Sequence, residues 1–290
     1  MPDSPELPVR VKQEPLAYKV GQNVQEKSSG INVLRGMSWM SRKNYMTVMF
    51  ACLLSGCVSQ AQIEQESADQ FAQMRGQMPL STSVTDKAYV RCVANLIVKQ
   101  LEEPYKSYEW DIEVFDDEAI NAFAMPGGKI GVFTGIFKVA TNQDELGAVI
   151  GHEVAHVTRD HSLERANRTM ITQNTAIFGS EVLDASTGLE TTDLMVMGAE
   201  LGLLKPYGRG QESEADLVGL KYMADAGFDP RASIVLWTNM AKANPTGPPE
   251  WLSTHPSGDS RIADLAGELT ETLPLYNAAR ESGRKPSCRR

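Results

Sequence analysis

The chain has 290 residues, 42% of them hydrophobic and 22% charged, which is ordinary globular composition with room for one large domain. Residues 1–57 carry seven Lys/Arg against four Asp/Glu, a balance of +3, so the net charge of -9 leaves -12 on the remainder. A body this acidic excludes nucleic acid as a natural partner, and the charge reads as solubility rather than recognition.

Residues 1–36 are polar, rich in Pro and Gly, and lack helical or strand periodicity. They are expected to be disordered, and to be an over-long gene start with translation beginning at Met37 or Met40. Arg42 and Lys43 then precede an apolar run from Met46 to Leu54, too short to span a bilayer, which needs ~20 residues. Basic, apolar and small residues in that order make a secretory signal peptide, assigned to residues 37–56. Its ending, Leu54-Ser55-Gly56-Cys57, resembles the bacterial lipobox, which implies that Cys57 is lipidated. For a Gram-negative host, Val58 in place of Asp after that cysteine implies an outer-membrane lipoprotein facing the periplasm. Cys92 and Cys288 show no zinc-finger spacing; as an even pair in an oxidising compartment they are expected to form a disulfide.

Residues 57–85 read as a lipidated tether with a helix around Ile63 to Met74, and residues 86–290 as one folded domain. Asp86 to Glu103 has helical spacing, with Asp86 as the expected cap. Trp110, Ile112 and Val114 alternate with charged residues, as in a half-buried strand. Two further extended runs, 120–124 and 129–134, flank the turn signal Pro126-Gly127-Gly128, so a small antiparallel sheet is expected. Residues 144–165 read as one long helix. Further helices are expected over 192–204, 211–226, 232–243 and 260–272, and no apolar run marks a second membrane span.

The 144–165 helix carries His152-Glu153-Val154-Ala155-His156. Imidazoles four residues apart lie on one helical face and can hold one metal ion. Glu153, about 100° further round, is placed as a general base beside it. A catalytic zinc usually has a third protein ligand. A histidine six residues after the second is ruled out, because position 162 is Ser. His161 stands five residues on, about 140° off the ligand face of a continuous helix, and reads as a structural or surface histidine. A carboxylate from Glu212-Ser213-Glu214-Ala215-Asp216 remains. Glu212 and Asp216 share a face, so Glu212 can ligate while Asp216 accepts the second N–H of a ligand histidine; Glu214 points elsewhere.

These motifs resemble the HtpX and CAAX prenyl protease family of zinc metallopeptidases. The resemblance is carried by Asn121-Ala122-Phe123, Pro126-Gly127-Gly128, Gly151 to His156, Glu212 to Asp216, Ala226 to Pro230 and Thr254-His255-Pro256. The nearest branch is that of small outer-membrane lipoprotein peptidases. It implies an α+β, mostly helical, zincin-like metallopeptidase domain, with the small sheet packed on the active-site helix. It implies one Zn2+ on His152, His156 and Glu212, and Glu153 as the catalytic base. His255 is implied either to stabilise the oxyanion or to occupy the open metal position as a brake. Arg261 is a weaker candidate for oxyanion or structural support. Where relatives carry Tyr-Ser-Arg, this chain has Tyr207-Gly208-Arg209. The expected function is cleavage of unfolded or misassembled envelope proteins. Substrate is expected to pair as an added strand along 121–124 or 129–132. The expected partners are unfolded polypeptides, the membrane through Cys57 and the outer-membrane assembly machinery. The rival is a periplasmic chaperone or assembly factor using the same groove.

Overall fold

The computed structural model describes residues 58–172, 207–243, 250–255 and 261–290. They belong to one compact unit, Cys57–Arg290. The signal peptide, Cys57, the expected 192–204 helix and Pro256 lie outside the described residues.

The first helix, α1 (Gln60–Gln77), starts on a capping box: Ser59 Oγ accepts from the Gln62 amide while the Gln62 side chain accepts from the Ser59 amide. It buries a single stripe, Ile63, Ser67 and Phe71. Helix α2 (Val84–Val98) begins earlier than expected because Ser83, not Asp86, is its cap; Ser83 Oγ accepts from the Asp86 amide at 3.1 Å. Tyr89, Val90, Val93, Ala94, Ile97 and Val98 form its buried face.

Three strands follow: β1 (Asp111–Phe115), β2 (Ala122–Met125) and β3 (Lys129–Phe133), in the order β1-β3-β2. The turn between β2 and β3 uses Gly127 at φ +77° and Gly128 at φ +74°, a region glycine enters without a Cβ penalty. The sheet is mixed rather than antiparallel. The β2–β3 hairpin is antiparallel, with Ala124 opposite Ile130, but β1 runs parallel to β3, with Ile112 opposite Ile130. The link from β1 leaves a gap beside that strand, and β3 fills it.

Strand alternation divides the sheet. Ile112, Val114, Ala122, Ala124, Ile130 and Val132 face the main core, whereas Phe115, Phe123 and Phe133 face Phe71 of α1. Helix α1 therefore buries the face expected to meet solvent. Glu113 is enclosed there, with Arg75 and Lys87 each 3.8 Å from its carboxylate.

Helix α3 (Gln143–Thr158) is capped by Asn142, whose Oδ1 accepts from the Asp144 and Glu145 amides at 3.0 Å. Every residue from Glu145 to Val157 is buried, so this is an internal helix with no solvent face. It ends where the sequence pattern continued. Asp160 takes φ +53°, and the helix restarts over 161–172 in a new direction.

Helices α4 (Arg209–Asp225), α5 (Ala232–Ala243), α6 (Glu250–Thr254) and α7 (Arg261–Glu281) complete the described residues. Helix α4 stops at Gly227, φ +87°. Helix α7 runs nine residues past the expected end at Thr272, carrying Pro274 within it. No described helix is long and apolar enough to cross a membrane.

The backbones of α3 and α4 meet at two glycines. A Cβ on Gly219 would lie 2.7 Å from the His152 amide nitrogen and 2.8 Å from the Gly151 carbonyl carbon. Because both close contacts are backbone, Gly219→Ala should cost about 1–3 kcal/mol through overpacking. It should also move Glu212 and Asp216 away from His152. Denaturant melts and zinc titration of the variant check this; unchanged stability and affinity would count against it.

Candidate metal centre and catalytic site

Helix α3 delivers His152, Glu153 and His156, α4 delivers Glu212 and Asp216, and the end of α6 delivers His255. All but Asp216 are at most 3% exposed. His152 Nε2 and His156 Nε2 stand 3.0 Å apart. The Glu212 carboxylate lies 3.5 Å from the first and 3.4 Å from the second. His255 Nδ1 closes the group, 3.2 Å from His152 Nε2 and 3.1 Å from Glu212 Oε1. One donor atom from each of these four residues lies within 4.8 Å of all the others.

The donor chemistry fits a zinc ion. His152 Nδ1 is 3.0 Å from Asp216 Oδ1. Asp216 is itself paired with the Arg261 guanidinium, Nη2 at 2.7 Å from Oδ1 and Nε at 2.6 Å from Oδ2. An ionised carboxylate only accepts, so His152 carries its proton on Nδ1 and presents a bare Nε2 to the cluster. That lone pair faces the Glu212 carboxylate and a second imidazole, an arrangement of acceptors that a divalent cation at their centre satisfies. Two imidazoles and a carboxylate are a ligand set zinc favours.

The electrostatics agree. Burial pushes the His152 imidazole well below its ordinary pKa and the His156 imidazole down to about 4, leaving both neutral as ligands must be. Burial works against the Glu212 carboxylate, but the His156 and His255 imidazoles set against it override that and hold Glu212 far below the usual range. Burial raises Asp216 to about 6 despite the Arg261 charge. His255 moves the other way. Desolvation lowers it, yet the nearby Glu153 and Glu212 carboxylates outweigh that and raise it.

Glu153 is fixed beside the cluster. The Trp251 indole Nε1 donates to its Oε1 at 2.6 Å, and the Ala124 amide of β2 also hydrogen-bonds it. Its other neighbour is His255 Nε2, 3.5 Å from Oε1. Burial raises its pKa, as a group that must take up a proton requires.

Further groups complete the surroundings. Tyr207 stacks on His156 with ring centroids 3.9 Å apart, its hydroxyl 3.0 Å from Ser162 Oγ. The Arg261 side chain bridges Glu212 and Asp216 while lying 3.6 Å over the Trp237 ring. It therefore supports the ligand carboxylates. Sequence reasoning passed over Trp251, although its place four residues before His255 puts the two on one helical face, where their rings stack. His161 does not sit on the surface; it is 2% exposed with its ring against His156. Cys92 and Cys288 are joined by a disulfide, Cα atoms 5.7 Å apart.

A mostly helical domain with a small sheet, two helix-borne histidines, an adjacent glutamate and a carboxylate from a second helix defines a zincin-like metallopeptidase. Residues 85–269 match the model of Peptidase family M48, and the chain belongs to that family. It is similar to the mitochondrial metalloendopeptidase OMA1 of Schizosaccharomyces pombe, 36% identical over 176 residues, covering 60% of this chain and 50% of that protein. It is also similar to the beta-barrel assembly-enhancing protease of Yersinia pestis, 29% identical over 218 residues, 71% of this chain and 44% of that one. A putative beta-barrel assembly-enhancing protease of Vibrio cholerae is 34% identical over 167 residues, 55% and 34% of the two chains. The chain thus spans half or less of the length of these relatives.

Proposed function

We propose that the chain is a zinc metalloendopeptidase cleaving unfolded or misassembled proteins of the cell envelope. The observation that carries this reading is Glu153, buried and raised in pKa, held by Trp251 and Ala124 against the four-residue donor cluster. His152, His156 and Glu212 would hold a zinc ion, which would supply Lewis acidity to water and to the scissile carbonyl. Glu153 takes the proton of the attacking water and passes it to the leaving amine. Strand β2 supports a polypeptide substrate. It is an edge strand of the described sheet and its Ala124 amide reaches Glu153, so an extended segment laid along it runs past the base. The alternative strand, β3, is paired on both sides. The names of the Yersinia and Vibrio relatives support an envelope role, and the assembly machinery for outer-membrane proteins is the partner this reading favours.

Lipidation at Cys57, within an outer-membrane lipoprotein branch facing the periplasm, belongs to the same proposal. Asn167 supports a short anchor: its Oδ1 accepts from the Val58 amide at 2.6 Å and its Nδ2 donates to the Val58 carbonyl at 3.3 Å. The residue after Cys57 is thereby clamped to the domain.

His255 favours a restrained enzyme. Its Nδ1 stands within the donor cluster, where it would take the fourth position that a catalytic zinc leaves open. The chaperone reading uses this latched state, with the groove holding clients uncut. Cleavage of an unfolded outer-membrane protein by the zinc-loaded chain, with and without chelator, separates the two. Chelator-sensitive cleavage that rises several-fold in His255→Ala is expected. Cleavage absent from both proteins sinks the peptidase reading, and a His255→Ala rate below wild type sinks the brake.

A further inference from the structure

We propose that His161 and Glu214 form an outer relay that holds His156 as a metal ligand, with His161 a positioning residue for that site. The inference rests on the zinc reading above and extends it to groups that reading leaves unused. On a continuous helix His161 would point away from the ligand face. The left-handed turn at Asp160 redirects the chain, and His161 comes back with its Nδ1 2.9 Å from His156 Nδ1.

Two imidazole nitrogens at that distance share one proton, and its owner follows from the next contact. His161 Nε2 lies 3.4 Å from Glu214 Oε2, and Arg159 Nε lies 3.3 Å from Glu214 Oε1. A carboxylate paired with a guanidinium only accepts, so His161 carries its proton on Nε2 and its Nδ1 is bare. His156 therefore donates from Nδ1, and its Nε2 lone pair is left for the metal.

The two ligand histidines are then backed in parallel ways. His152 donates to Asp216, which Arg261 holds. His156 donates to His161, which is backed by Glu214 and Arg159. Groups of this kind fix the tautomer and ring angle of a ligand, and their loss typically weakens metal binding ~10–100-fold. The arrangement also gives Glu214 a use, although it faces away from the ligands and its side chain is 49% exposed.

The test measures zinc affinity of the metal-free full chain by competition with a chromogenic chelator, for wild type, His161→Asn and His161→Leu. Asn presents an acceptor oxygen near the position of Nδ1, and Leu fills the space without one. We expect His161→Leu to bind zinc ~10–100-fold more weakly while His161→Asn stays close to wild type. Metal-free melting temperatures serve as the check on folding. Wild-type affinity in His161→Leu overturns the relay, and equal weakening in both variants reduces His161 to packing. A wild-type chain that binds no zinc removes the zinc reading and the relay together. Should His161→Leu fail to fold, imidazole 15N NMR of the metal-free wild type decides. It should find His156 protonated on Nδ1 and His161 on Nε2, and the opposite pair of tautomers overturns the relay.

Discussion

Glu153→Gln should keep its metal and lose about 10²–10⁴-fold in kcat/KM toward an unfolded polypeptide, the range expected when a general base is removed. The substitution is nearly isosteric. The Gln carbonyl oxygen can still accept from Trp251 Nε1, so the packing around α6 and the ligand geometry should hold. What disappears is a buried carboxylate whose pKa burial has raised, poised to take the proton of the attacking water. Metal content by elemental analysis and cleavage of a fluorogenic protein substrate check the two halves separately. Normal cleavage by the variant would falsify the mechanism. Loss of metal together with activity would show that Glu153 organises the ligands instead of acting on water.

Much of this site was legible in the sequence because helical periodicity is a local property. Positions 152 and 156, and again 212 and 216, share faces on any α-helix, so each pair followed from spacing, while their meeting at one metal was implied by the family resemblance. The turn at Gly127 and Gly128 was legible for the same reason. What escaped was set by contacts between elements. The partner of β1 depends on which strand fills the gap beside it, so a sheet read as antiparallel proved mixed. Strand β1 looked half-buried because nothing in its own alternation announces that α1 covers its second face with Phe71. His161 was misplaced by one residue's backbone: the helical pattern runs through Asp160, but the chain takes φ +53° there. Trp251 escaped because its bond to Glu153 crosses between helices, whereas Arg261, named as a candidate for structural support, does support the Glu212 and Asp216 carboxylates.

The disulfide carries the second large expectation. Cys92 and Cys288 close a loop with a sequence separation of 196, so in the chain-entropy account the bond restricts the unfolded chain strongly, by ~5 kcal/mol at 25 °C. The native geometry adds a local strap. The Cys288 amide donates to Gln143 Oε1 at 2.8 Å, and Gln143 Nε2 donates to the Pro286 carbonyl at 3.2 Å. Arg290 reaches Asp86 Oδ1 at 2.6 Å and lies 4.0 Å over the Phe137 ring. The tail therefore ties the start of α2 to the start of α3, the helix that carries His152, Glu153 and His156. Cys92→Ser with Cys288→Ser should lower unfolding free energy by about 2–5 kcal/mol, measured by urea melts with and without reductant. Reductant should lower the wild-type midpoint and leave the double variant unmoved. Zinc affinity of the still-folded variant should change little, because the strap lies at the opposite end of α3 from His156. A wild-type midpoint indifferent to reductant would remove the disulfide from the account of stability.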